Sequence, residues 1–223
     1  MEKTITAVVP VKGSSSRLPG KNILPFGESN LLVHKIRQLK EVEELTDIIV
    51  SSDSDEMLHM AEQEGVTALK RPMKYADESV PFGMFLEYLC DILPNEHIMW
   101  ACATSPLVEP YLYRKAIGLY FEKMQEGYDS LITCLPCQSF YMDEKGPINF
   151  KMGLEHKNSE QLPPIYHFTN GIDLAPKAKI REWHYNYGPK AYRLMVNKRE
   201  AADIDDIYDY VCAKAMYDMK EDM

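Results

Sequence analysis

The stretch VVPVKGSSSRLPGKN, Val8 to Asn22, puts two glycines, three serines and three cations directly after a short apolar run. The residues leading into it, Ile5 to Val9, read as a buried strand, and amphipathic helix spacing begins near Leu31. Small residues between a strand and a helix let backbone N–H groups approach an anion closely. Lys12, Arg17 and Lys21 stand beside those amides, so the loop predicts a polyphosphate guest. Two common phosphate cradles do not apply. A P-loop has four residues between its glycines and a Ser or Thr after its lysine, whereas six residues separate Gly13 from Gly20 and Asn22 follows Lys21. The G-x-G-x-x-G fingerprint is absent too, which counts against a nicotinamide enzyme.

Outward from the loop, strand and helix patterns alternate. Asn30–Lys40 is helical with Leu31, Leu32, Ile36 and Leu39 inward, and the charged residues along Lys35–Glu44 read as its solvated face. Strands follow at Asp47–Ser52, Val66–Lys70, His97–Ala103 and Ser130–Leu135. Helices are predicted from Asp53/Asp55 to about Glu64, over Val80–Leu93 with Phe82, Phe85, Leu86, Leu89 and Leu93 inward, and over Pro110–Gln125. This order predicts an α/β fold with a largely parallel sheet covered on both faces. In such sheets ligands bind beyond the carboxyl ends of the strands, so the loop, Asp53 and Thr104-Ser105 should converge. The pattern breaks between Pro136 and Tyr166, a proline-rich and polar excursion with a turn at Glu144–Pro147. It resumes with strands at Gly171–Ala175 and Ala191–Val196 and a last helix from about Asp206, with Ile207, Tyr210, Val211 and Ala215 inward. The reading is one domain over 1–223, with 136–166 set out from it for dimer contact or substrate closure.

Bulk properties exclude several classes. A net charge of -9 and a pI near 5.2 disfavour nucleic-acid binding, which calls for a basic face. No apolar run is long enough to span a bilayer, and Met1-Glu2-Lys3-Thr4 enters the first strand without a signal-peptide layout. Five cysteines, an odd number, do not make a disulfide framework, and a cytoplasmic setting is expected.

Asp203 and Asp205 flank Ile204, so in an extended segment both carboxylates point to one side. Two such oxygens suit Mg²⁺, which keeps waters and shares phosphate ligands. The same residues, with Asp206, also suit the N-terminus of the last helix. Asp53 and Asp55 form a second D-x-D, at a position where a helix N-terminus explains them equally.

Six segments in order are similar to motifs of the acylneuraminate cytidylyltransferases, the CMP-sialic acid synthetase-like group of sugar nucleotidyltransferases. PVKGSSSRLPGKN resembles the group's P-A-R-G-G-S-x-R-[LI]-P-x-K-N through Pro10, Gly13, Ser15, Arg17, Leu18, Pro19, Lys21 and Asn22. IIVSSDSDEM, LKRPMKYADES, ATSPLV, TNGIDL and ADIDDIYDY carry the rest, so the likeness covers nearly the whole chain. The resemblance implies a three-layer α/β/α Rossmann-like (GT-A-like) fold and transfer of CMP from CTP to the anomeric hydroxyl of a 2-keto sugar acid, with release of pyrophosphate. It implies a catalytic set of Lys21, Lys12 and Arg17 on the triphosphate, and nucleotide contacts from Gly13, Ser15, Asn22, Ser52, Asp53, Arg71 and Asp77. Ser105, Gln161, Asn170 and Gly171 would meet the sugar acid, and Asp203 and Asp205 would hold Mg²⁺. A homodimer is implied as well.

Departures from the pattern bear on the acceptor. Lys12 replaces an arginine and loses its bidentate fork. Cys102 and Ala103 stand where the group has Gln-Pro, and Phe168-Thr169 precede Asn170. No aspartate lies between Trp100 and Val108, which argues against a KDO-transferring relative. A nucleotidyltransferase with another base or acceptor, a silent nucleotide-binding module and a D-x-D glycosyltransferase are the rival readings. Cys134 and Cys137 (C-x-x-C), His156, His167 and His184, and the Trp183–Tyr187 cluster are read as structural.

Overall fold

The computed structural model describes residues 3–77 and 79–221. Met1 and Glu2, and Glu78 of the LKRPMKYADES segment, lie outside the described residues. In chain order the chain forms β1 (Ile5–Pro10), the two-residue ribbon β2 (Pro25–Phe26) and β3 (Ser29–Asn30), α1 (Leu31–Lys40), β4 (Asp47–Ser52), α2 (Asp55–Gln63) and β5 (Thr67–Lys70). Then come α3 (Phe82–Ile92), β6 (His97–Trp100), α4 (Pro110–Gln125), β7 (Ser130–Cys137), the hairpin β8 (Met142–Asp143) and β9 (Gly146–Pro147), β10 (Ile165–Pro176), α5 (Lys177–Trp183), β11 (Ala191–Met195) and α6 (Ile207–Glu221).

Seven strands make one sheet in the order β11-β7-β10-β6-β1-β4-β5, parallel except for β10. Alternation along β1 explains the layers, because successive side chains point to opposite faces. Ile5, Ala7 and Val9 pack with Leu32, Ile36 and Leu39 of α1, Met57 of α2, and Leu112, Tyr113 and Ala116 of α4. Val8 packs on the other face with Phe85, Leu86 and Leu89 of α3 and Ile180 of α5. The fold is therefore the expected three-layer α/β/α arrangement. The chain goes from β1 rightward to β4 and β5, then returns to β6 on the opposite side of β1. Such a reversal of strand order opens a crevice at the carboxyl ends of β1 and β6.

Several local expectations need correction. Lys35 is not on a solvated face: it is completely buried. It lies four residues from both Leu31 and Leu39, and so on the apolar stripe itself. α3 begins at Phe82, after Pro81, and Phe82 stays 41% exposed while packing edge-on to Trp100. β6 ends at Trp100, before Ala101–Ala103. On α6, Tyr210, Ala213, Met216 and Tyr217 face Phe26, Leu31 and Leu107, whereas Ile207, Val211 and Ala215 are exposed. Two tyrosines seven residues apart set that face: Tyr210 Oη donates to Pro25 O at 2.6 Å and Tyr217 packs 4.9 Å from the Phe26 ring.

The excursion is shorter than 136–166. Pro136 pairs with Tyr166 and Cys137 with Ile165, so the long antiparallel arms of β7 and β10 carry the main sheet to its base. Between them, 138–164 holds the β8–β9 hairpin and two single 3-10 turns. Its turn is at the expected place, with Asp143 Oδ1 accepting from the amides of Lys145 and Gly146.

Close packing after α5 gives a stability prediction. A Cβ on Gly188 would stand 2.5 Å from Trp183 Cη2 and 2.7 Å from Asp129 Cγ. Gly188→Ala should therefore destabilise the protein by about 1–3 kcal/mol, the usual cost of overpacking. A lowered urea midpoint with an unchanged slope would show it.

Candidate active site

The loop after β1 is tied at both ends. Gly13 N donates to Asp53 Oδ1 at 3.0 Å, and Lys70 Nζ donates to Asp53 O at 2.9 Å, which joins the loop to the ends of β4 and β5. A Cβ on Gly13 would lie 3.1 Å from Ser54 Cβ, so the approach needs a small residue. Ser15 Oγ accepts from Leu18 N at 3.4 Å. Asn22, expected on the nucleotide, is buried and donates to Lys12 O at 3.1 Å; its amide shapes the loop. Gly20 takes the left-handed backbone (φ 68) that starts the 3-10 turn carrying Lys21.

The carboxylate arm comes to this loop from the far end of the chain. Arg17 Nη2 lies 2.8 Å and Lys21 Nζ 3.2 Å from the same atom, Asp205 Oδ1. Partial burial opposes charge on Asp205, but Lys21 and then Arg17 outweigh it and hold its carboxyl below the ordinary value. Ile204 is fully buried and its amide donates to Thr104 O at 2.8 Å, which pins the arm to the turn after β6. Asp203 points to that turn as well. Burial pushes its carboxyl up, a Thr104 hydrogen bond pulls the other way, and its buried Oδ1 has no hydrogen-bond partner.

Helix capping falls to other residues. Asp206 Oδ1 accepts from the amides of Tyr208 and Asp209, and Asp209 Oδ2 accepts from those of Asp205 and Asp206. This reciprocal box satisfies the first turn of α6 and leaves the side chains of Asp203 and Asp205 clear of it. At α2 the cap is Ser54, while the exposed Asp55 pairs with Lys70.

Two carboxylates beside two cations, Arg17 and Lys21, with Lys12 on the same loop, fit Mg²⁺ together with a triphosphate. Among the described residues no three His, Cys, Asp or Glu side chains form a protein-only metal cage. Mg²⁺ does not need one, since it takes one or two carboxylates plus phosphate oxygens and waters. The unpartnered Asp203 Oδ1 is the kind of atom such an ion would satisfy.

The acceptor-side residues divide. Ser105 is buried, and its Oγ has no hydrogen-bond partner. Asn170 has φ 56, and a Cβ on Gly171 would come 3.2 Å from Val108 Cγ2, so the β10 bulge sits against the Thr104–Val108 turn. Gln161 lies instead on the excursion, lining a cavity of about 760 Å³ with Phe150 and His156. Asp77 is held below its ordinary value, first by the Ser79 amide and hydroxyl and then by Lys12, which places it near the loop. Arg71 is turned inward: Nη2 donates to Ser51 O at 2.7 Å, the guanidinium lies 4.2 Å from the Phe85 centroid, and burial lowers its pKa to about 10. Ser52 is fully buried, its carbonyl accepting from Arg71 N at 2.7 Å.

Residues 6–148 match the family model described as cytidylyltransferase. The chain belongs to that family. Among curated relatives, this family member is 22% identical over 223 residues to the pseudaminic acid cytidylyltransferase of Campylobacter jejuni, with 94% of each chain covered. It is 24% identical over 229 residues to the CMP-N,N'-diacetyllegionaminic acid synthase of Legionella pneumophila, covering 98% of each. Against the N-acylneuraminate cytidylyltransferase of Escherichia coli it is 25% identical, with 96% of this chain but 52% of that one covered. Among solved structures, a CMP:2-keto-3-deoxy-manno-octonic acid synthetase complexed with CTP matches at a TM-score of 0.68 and 13% identity, over 99% of this chain and 100% of the other. The 4-diphosphocytidyl-2C-methyl-D-erythritol synthase of Anaerococcus prevotii matches at 0.69 and 14%, over 96% of each. These two likenesses show the fold.

Sequence reasoning expected Thr104 at the site but missed Lys35. Lys35 Nζ donates to Ser105 O at 2.9 Å and to Tyr113 Oη at 2.8 Å, and burial lowers its pKa to about 7. Its neighbour His34 bonds Pro106 O through Nε2 at 3.1 Å. Burial first and Lys35 second pull the His34 pKa from 6.5 to about 4, against the Pro106 bond. Between those values the unfolded chain binds a proton that the folded one refuses. The His34 contribution to stability is thus present above about pH 6.5 and lost toward pH 4. Melting curves of His34→Gln and wild type should converge as pH falls through that window.

Proposed function

We propose that the chain transfers CMP from CTP to the anomeric hydroxyl of a 2-keto sugar acid of the sialic acid class, using Mg²⁺. The hydroxyl oxygen bonds to the α-phosphorus, the bond to the bridging oxygen breaks, pyrophosphate leaves and the hydroxyl proton passes to solvent. Charge grows on phosphoryl oxygens, so the protein's task is positioning and electrostatic stabilisation. Lys21, Arg17 and Lys12 would neutralise the triphosphate and the departing pyrophosphate, with the Gly13 loop close around them. Asp203 and Asp205 would hold Mg²⁺, which when bound offsets phosphate charge. Ser105, Asn170 and Gly171 would border the acceptor.

One observation carries the reading: Asp205 Oδ1 sits between Arg17 and Lys21, joining the C-terminal acidic arm to the cationic loop. The relatives are named for cytidylyl transfer to, or CMP activation of, pseudaminic, legionaminic and neuraminic acids. The test is incubation with CTP, Mg²⁺ and a panel of nine-carbon 2-keto sugar acids, reading pyrophosphate release and product mass. A CMP adduct of one acid is expected. No product with any acid, or turnover only with another nucleotide, would sink the proposal.

Homodimerisation through 138–164 belongs to the same reading, because Met142, Ile148, Met152 and Leu154 are all exposed there. A light-scattering mass of a single chain at working concentration would exclude it. All five cysteines are free thiols, which supports a cytoplasmic setting.

A further inference from the structure

A wholly buried lysine needs a reason, because removing an ammonium from water costs far more than removing a methylene. At a site that required only packing, leucine would serve, as it does at Leu31, Leu32 and Leu39 on the same stripe. Lys35 instead directs its three N–H donors at three acceptors: Tyr113 Oη at 2.8 Å, Ser105 O at 2.9 Å and Val108 O at 3.5 Å. Its ammonium also lies 5.0 Å from the centre of the Tyr113 ring. Two further α1 side chains reach the same turn, since Gln38 Nε2 donates to Pro106 O at 2.8 Å beside His34. α1 thereby binds the carbonyls of Ser105, Pro106 and Val108 from beneath.

The upper side of that turn meets the proposed site. Thr104 O accepts from the amide of Ile204, the residue next to Asp203, and Val108 packs on Gly171. We infer that Lys35 is a positioning residue, a clamp that fixes the Thr104–Val108 turn so that Asp203 and the acceptor-side residues Ser105 and Gly171 hold one geometry. The catalytic part of this inference rests on the proposed CMP transfer; the clamp itself does not. Lys35 touches neither carboxylate of the arm. Its action passes through the turn's backbone, whose Ser105 and Val108 carbonyls its ammonium binds directly.

Hydrogen exchange on the ligand-free protein tests the clamp without any substrate. In Lys35→Met, the amides of Ser105, Val108 and Ile204 should exchange about tenfold faster, while those of β1 and β4 keep wild-type rates. Tyr113→Phe removes one acceptor and keeps the ring. It should shift the same three amides by less and serves if the methionine variant does not fold. With CTP and the acid identified by the product screen, kcat should fall about tenfold in Lys35→Met while KM for CTP stays within about twofold. Unchanged protection at the three amides in both variants would overturn the inference. Equal acceleration across β1 and β4 would also overturn it, since that marks general destabilisation. A wild-type protein that makes no CMP adduct would count against the proposed reaction alone, because the exchange readout stands apart from it.

Discussion

Asp205→Asn should leave a folded protein with CMP transfer reduced on the order of 10³-fold, the scale of losing one charge-stabilising group at a reacting centre. Stability should hardly change. The Asp205 side chain is 46% exposed and its partner Arg17 64%, and exposed ion pairs contribute about 0–1 kcal/mol. Without Mg²⁺, CTP should bind the variant at least as tightly as wild type. In the ligand-free protein Asp205 occupies Arg17 and Lys21, the cations that the triphosphate would otherwise meet, and asparagine releases them. Titration calorimetry with CTP, with and without Mg²⁺, checks this sign reversal. Weaker metal-free binding, or full turnover, would contradict the assigned role.

Lys21→Met carries the second large effect. The methionine keeps most of the stem, which is only 14% exposed, and removes the charge, so packing survives. We expect kcat/KM for CTP to fall about 10²–10³-fold, with the greater part in kcat if Lys21 meets charge that develops on the departing pyrophosphate. Arg17→Met should cost less, because its side chain is the more exposed of the two and its field is screened by water. Steady-state rates of pyrophosphate release rank the two. Equal losses would place Lys21 and Arg17 in one interchangeable role.

The sheet was legible in the sequence because each strand carries its own local pattern. DIIVSS at Asp47–Ser52 and the helix Pro110–Gln125 have the boundaries expected from composition and periodicity alone. The meeting of Arg17 with Asp205 rested on a resemblance, since no local rule relates residues 188 positions apart. β10 was read too short because its first half is polar and aromatic, and a bulge between Phe168 and Asp173, with Asn170 left-handed, interrupts its alternation. Lys35 was assigned to water by its charge although its spacing from Leu31 and Leu39 put it inside. There periodicity was the better guide than residue type. α6 was turned the wrong way because Ile207 and Val211 are as apolar as the buried Ala213, and only tertiary contacts with Phe26 and Leu107 choose between the two faces.

The last ladder pair at the open end of β7 and β10, Cys137 opposite Ile165, brings the two ends of the excursion within one strand spacing of each other. Whatever is inserted at that point leaves and returns through the same doorway. Lengthening, shortening or exchanging 138–164 therefore need not re-register the strands that carry Cys134 and Asp173. The excursion can change in length and sequence while the sheet beneath the cationic loop keeps its register.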